Sequence, residues 1–143
     1  MSETFELEIP GTPEHLPQVF DFVADVLEKI RVTDPPAYAI TLAVDEVVTN
    51  VVAYAYRESE GSVRIACARE GNIVTIVVTD EGRPFDPTKM PPPDTSADLD
   101  HRTVGGLGIF LAKKAMNSIT YERKDGRNVL TMVKDVRASG RSK

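Results

Sequence analysis

The sequence predicts an α/β two-layer sandwich: a mixed, mostly antiparallel sheet with helices on one face. Three observations predict it. Two long segments, Thr12 to about Val32 and about Pro35 to Tyr56, repeat their apolar residues at the helical period. Two pairs of strand-like runs, Val63 to Ala68 with Ile73 to Thr79 and Ile119 to Arg123 with Val129 to Val133, each enclose a glycine-bearing turn. A short alternating run, Thr4 to Ile9, precedes them all.

Pro10-Gly11 ends that first run (TFELEI), so it reads as a short strand at a sheet edge. Thr12-Pro13-Glu14 opens the first helix, because a proline in the first turn lacks only an N–H that has no helical partner there. Leu16, Val19, Phe20, Val23, Val26, Leu27 and Ile30 form its core stripe. His15 reads as an ordinary solvated side chain, since no second His or Cys stands at a metal-ligand spacing.

Asp34-Pro35 starts the central helix, whose stripe is Ile40, Val44, Val47, Val48, Val51 and Ala55. On a wheel of about 100° per residue, Glu46, Thr49 and Asn50 fall together, away from that stripe. This face has two readings. It is a solvated helix side, or it is a working one. In the second, the Asn50 amide oxygen ligates a hard cation such as Mg²⁺, and the Glu46 carboxylate, one turn away, deprotonates a hydroxyl.

Arg57 to Gly61 is a polar turn, and Glu70-Gly71-Asn72 joins the first two hairpin strands. The second of these ends in Asp80-Glu81-Gly82-Arg83-Pro84-Phe85. Asp80 there is a turn former, or a partly buried carboxylate that accepts a hydrogen bond from an exocyclic amine. Gly82 lets backbone approach a flat ring, and adenine fits the pair. From Phe85 to Thr103 the chain is proline-rich, with Pro87, Pro91, Pro92 and Pro93, so no packed element is expected. A mobile lid or a disordered insertion both suit that composition. His101 and Arg102 at its end are candidates for a ligand contact, with no chemistry fixed by their spacing.

Gly105-Gly106-Leu107-Gly108 then feeds a helix from Ile109 to about Asn117, a ready cradle for phosphate. It is not a dinucleotide-binding fingerprint, because no strand precedes it, and it lacks the Gly-Lys-Ser/Thr of a P-loop. Lys124-Asp125-Gly126-Arg127 closes the last hairpin, and a frayed tail is expected from about Arg137. The chain therefore reads as one domain, residues 1–136, with a disordered tail, 137–143.

Composition narrows the function. With 17 Lys and Arg against 22 Asp and Glu the net charge is −5, which disfavours direct nucleic-acid binding. An acidic chain must hold phosphates locally, through backbone amides, helix N-termini and a metal. The single cysteine, Cys67, lies in an apolar alternating run and reads as a reduced, buried thiol. No signal peptide and no apolar run near 18 residues is apparent, so no membrane association and a cytoplasmic location are expected.

The ordered set is more specific than any member of it. DEVVTN resembles the N box of the histidine-kinase-like ATPase superfamily shared by gyrase B, heat-shock protein 90, sensor kinases and MutL. DEGRPF resembles its first glycine box, and GGLGI its second. The wording of DEVVTN and GGLGIFLAKKAMNSI is most similar to the anti-sigma-factor serine kinases of the RsbW and SpoIIAB type. That resemblance implies the Bergerat ATP-binding fold, with ATP and Mg²⁺ as cofactors. It implies Glu46 as general base, Asn50 as Mg²⁺ ligand, and Asp80 and Gly82 as adenine contacts. It also implies a phosphate loop of Gly105, Gly106, Leu107 and Gly108, and Thr131 as a second polar contact near adenine. The implied activity is phosphorylation of a serine on a STAS-domain antagonist by a homodimer that also sequesters a sigma factor. The other class is a module that binds ATP without catalysis and sequesters a regulator. HRTVGG departs from the family wording, so the basic residue facing the γ-phosphate is not assigned.

Overall fold

The computed structural model describes residues 3–55, 61–89 and 111–137. Strand β1 (Thr4–Pro10) leads through a 3₁₀ turn, Pro13–His15, into α1 (Leu16–Lys29) and α2 (Pro36–Asn50). Strands β2 (Ser62–Glu70) and β3 (Ile73–Asp80) follow, then a second 3₁₀ turn, Pro87–Lys89. Residues 111–115 are helical, here α3, and the chain closes with β4 (Ser118–Lys124) and β5 (Arg127–Asp135). The sheet order is β1-β2-β3-β5-β4, and every described pairing is antiparallel, so the expected mixed sheet is antiparallel throughout the described residues.

Side-chain alternation sorts the sheet into two faces. Ile9, Val63, Ile65, Cys67, Val74, Ile76, Val78, Leu130 and Met132 are buried on one of them, against the helices. From α1 come Val19, Val23, Val26 and Leu27, and from α2 come Ile40, Ala43, Val44, Val47 and Val48. Phe20 departs from its predicted place in the core: it is 40 % exposed, while Phe22 packs against the core instead. Burial pushes the Cys67 thiol up to about 11, in keeping with a reduced, inert cysteine.

Local chemistry fixes the ends of these elements. Arg31 has φ 62°, and its N–H and that of Val32 bond the carbonyls of Glu28 (3.1 Å) and Leu27 (2.9 Å), the Schellman pattern that ends α1. The Arg69 guanidinium caps the same end by donating to the Ile30 carbonyl at 2.8 Å. At the β4–β5 turn Asp125 and Gly126 both have positive φ, as a two-residue hairpin of the right twist requires. Together with its continuation, Pro36–Ala53 is long and apolar enough to cross a membrane by length and composition, contrary to the expectation of no such run. Half of that stretch is buried inside the protein, which makes it a core helix.

Candidate functional site

The first polar centre lies at the end of α2. Wheel geometry puts Asn50 with the polar residues, yet it is only 2 % exposed. Ala43 and Val47, seven and three residues before it, are fully buried on the same side, so the buried stripe is wider than the valines alone predict. The Asn50 Nδ2 donates to the Glu46 carbonyl at 2.6 Å. Its Oδ1 is buried without a hydrogen-bond partner among the described residues. An orphaned buried acceptor costs about 1–3 kcal/mol, so this oxygen calls for a ligand. A hard cation fits it, since Mg²⁺ takes oxygen ligands and usually keeps only one or two from protein. Among the described residues no group of three or more His, Cys, Asp and Glu converges, so such an ion would complete its shell with phosphate and water. Immediately after Asn50 the helix widens into a π-helical turn, Val51–Ala55, a feature frequent at functional sites.

Glu46 is half-buried one turn before Asn50. Burial, and secondarily the neighbouring Asp45 charge, raise its carboxyl above the ordinary glutamate range. That shift makes it a stronger base. Thr49 turns aside from Glu46 and donates to Asp45 Oδ1 at 3.3 Å.

The second centre lies at the end of β3. Asp80 is 2 % exposed on the helix-facing side, and its Oδ1 accepts from the Gly82 N–H at 2.8 Å and from Asn128 Nδ2 at 2.9 Å. Burial raises its carboxyl, while those two hydrogen bonds and the Arg123 charge oppose the shift. Asn128 is the residue that sequence reasoning missed. It stands directly across from Asp80 in the β3–β5 register and is 3 % exposed. Its signal was available: 128, 130 and 132 alternate onto one face, and a lone amide ahead of Leu130 and Met132 is a buried polar group.

Thr131 does not join this centre. It pairs with Val77, out of phase with Asp80 and Asn128, and so lies on the opposite face of the sheet from the helices. The expectation of an adenine contact from Thr131 is corrected by that alternation. Gly82 is at the centre, bonding Asp80 through its N–H and receiving Arg123 Nη1 on its carbonyl at 2.8 Å. Gly105, Gly106, Leu107 and Gly108 fall outside the described residues, as do His101 and Arg102. The expectation of no packed element from Phe85 onward fails at its start, since Phe85 packs against the core and Pro87 is buried; residues 90–103 of that stretch lie outside the described residues. Asp86 Oδ1 accepts from the Thr88 N–H (2.9 Å) and hydroxyl (2.6 Å), and Lys113 Nζ donates to the Thr88 carbonyl. No hydrogen bond links Asn50 to Asp80 among the described residues; they are two separate polar centres on the helix-facing side of the sheet.

The unsatisfied amide of Asn50 and the held carboxylate of Asp80 stand in two of the three motifs by which the sequence resembles an ATPase. Residues 9–134 match the family described as the histidine kinase-like ATPase domain. The chain belongs to that family. Serine-protein kinase RsbW of Bacillus cereus (strain AH820) is 29% identical over 132 residues, which span 90% of this chain and 82% of that protein. Serine/threonine-protein kinase BtrW of Bordetella bronchiseptica is 26% identical over 132 residues, spanning 92% of this chain and 93% of that one. A solved structure of the RsbU and RsbW domains of a Mycobacterium tuberculosis protein matches 94% of this chain with a TM-score of 0.66 at 18% identity, a likeness of fold alone. This chain spans 32% of that longer one. Membership in the histidine kinase-like ATPase domain family implies ATP as the ligand.

Proposed function

We propose that this chain is an ATP- and Mg²⁺-dependent protein-serine kinase that phosphorylates a serine of a STAS-domain antagonist and holds a sigma factor when the antagonist is phosphorylated. The observation that carries the reading is the pairing of Glu46, half-buried with a raised carboxyl, with Asn50, whose buried Oδ1 lacks a partner one turn away. The similarity to RsbW and BtrW supports the choice of a protein substrate. In this reading the partner's serine oxygen bonds to the γ-phosphorus as its proton passes to Glu46, and the bond from that phosphorus to the β–γ bridging oxygen breaks, releasing ADP. Asp80 accepts the adenine amine, with Gly82 shaping the turn beside it. Asn50 holds Mg²⁺, which when bound neutralises charge on the transferred group. Residues 105–108 cradle the phosphates. The working form is a cytoplasmic homodimer.

The test is transfer of radiolabelled phosphate from ATP to a STAS-domain protein. Glu46→Gln keeps size and polarity but cannot take the proton, so ATP still binds while transfer falls roughly 10²–10⁴-fold. Asn50→Ala lowers metal-dependent nucleotide affinity and rate together. Transfer by Glu46→Gln at the wild-type rate refutes Glu46 as base. A wild type that binds ATP but transfers phosphate to no STAS partner is a sequestering module instead.

A further inference from the structure

The Asp80 carboxylate is held by a network larger than adenine binding requires, and Asn128 is its hub. The Asn128 Nδ2 donates to Asp80 Oδ1 at 2.9 Å and to the Arg83 carbonyl at 2.8 Å. On the other side its Oδ1 accepts from the Tyr121 hydroxyl, from Arg123 Nη1 at 3.2 Å and from the Phe85 N–H at 3.2 Å. The amide therefore has one orientation. Turned over, it would set an oxygen against a carboxylate and a carbonyl, and an NH₂ against the N–H donors of Arg123 and Phe85. With Nδ2 and the Gly82 N–H both on Oδ1, the carboxylate cannot rotate freely, and Oδ2 is the oxygen left for a ligand.

We propose that Asn128 is a positioning residue for base selection: by occupying Oδ1 it aims Oδ2 of the Asp80 carboxylate at the base, so that the site accepts a 6-amino purine and rejects a 6-oxo purine. The inference rests on the reading of Asp80 as the adenine contact. An adenine amine donates to Oδ2, whereas the carbonyl of inosine or guanine would face it with a second acceptor and gain nothing. Tyr121 and Arg123 on edge strand β4 act one step further out, by fixing the amide that fixes the carboxylate. A network that served only the fold would leave the choice of base alone.

The experiment is a competition titration of ADP against IDP on the full chain at neutral pH, with melting temperature as a check on folding. Asn128→Asp puts an oxygen where Nδ2 was, 2.9 Å from Asp80 Oδ1, so the two carboxyls must repel or share a proton, and Oδ1 loses the donor that aims Oδ2 at the base. ADP affinity should fall about tenfold or more, and the ADP-to-IDP preference should shrink with it. Should Asn128→Asp not fold, the double variant Tyr121→Phe, Arg123→Met decides: both side chains lie on the edge strand, and the preference should still shrink, about threefold. Asp80→Asn is run beside them. Loss of ADP affinity in Asp80→Asn with an unchanged preference in the folded Asn128 or β4 variants overturns the role of Asn128 alone, as does an equal loss of ADP and IDP. Full ADP affinity in Asp80→Asn overturns the adenine reading itself.

Discussion

Asp80→Asn separates recognition from folding more cleanly than any other substitution in this chain. The asparagine Oδ1 can keep both hydrogen bonds, from the Gly82 N–H at 2.8 Å and from Asn128 Nδ2 at 2.9 Å, so the strand end keeps its shape. What changes is the second position, where an oxygen becomes an NH₂. An adenine amine then meets a donor. Loss of one hydrogen bond to a charged acceptor in a dry pocket is worth about 1.5–3 kcal/mol, or roughly 10-fold to 150-fold in affinity. Stability should move the other way. Burial raises the Asp80 carboxyl, so its ionised form is disfavoured in the folded protein relative to the unfolded one. Such a group contributes stability that is full below its unfolded pKa and is lost as pH rises through the folded one. At neutral pH the wild type bears that cost and Asp80→Asn does not, so the variant should melt at or above the wild-type temperature, and the gap should close in acid. Wild-type ADP affinity should itself weaken as pH falls through the raised pKa, because a protonated Asp80 no longer offers a charged acceptor. Calorimetry with ADP and with a non-hydrolysable ATP analogue measures the first effect, and thermal melts across pH the second. Unchanged affinity in a folded Asp80→Asn protein would reduce Asp80 to a turn residue.

Further outcomes follow from the packing. Arg31→Gly relieves a left-handed residue at the end of α1 and should raise stability by up to about 1 kcal/mol, read as a melting shift of roughly 2–4 °C. Ile76→Ala, deleting a side chain 1 % exposed in the middle of β3, should cost about 2–5 kcal/mol in denaturant unfolding with little change in ADP affinity per folded molecule. Cys67, its thiol pushed to about 11 by burial, should resist alkylation at pH 8 in the folded protein and react once denaturant exposes it.

The parts of this molecule that were legible in its sequence are those in which one period governs a whole segment. The valines of α2 and the alternation of β2 and β3 declare a buried side because each repeats several times, and the two hairpins declare their turns through Gly71 and Gly126, both at positive φ. Asn50 and Asn128 were misplaced or missed for a common reason. A periodic pattern says which positions are inside, but a polar residue at an inside position is normally taken as evidence that the position is outside. Asn50 was therefore set with Glu46 and Thr49, although Ala43 and Val47 place it within the core. Asn128 falls between the turn read at Lys124 to Arg127 and the strand read from Val129, although Leu130 and Met132 carry its face inward; Thr131 is a different case, a base contact implied by resemblance that its parity denies it. Burying an amide is costly unless every polar atom is answered. Asn128 has partners on both sides, so its burial is explained by the protein itself. Asn50 is answered on one side only, and the residue whose burial the described protein leaves incomplete is the one from which a ligand is to be inferred.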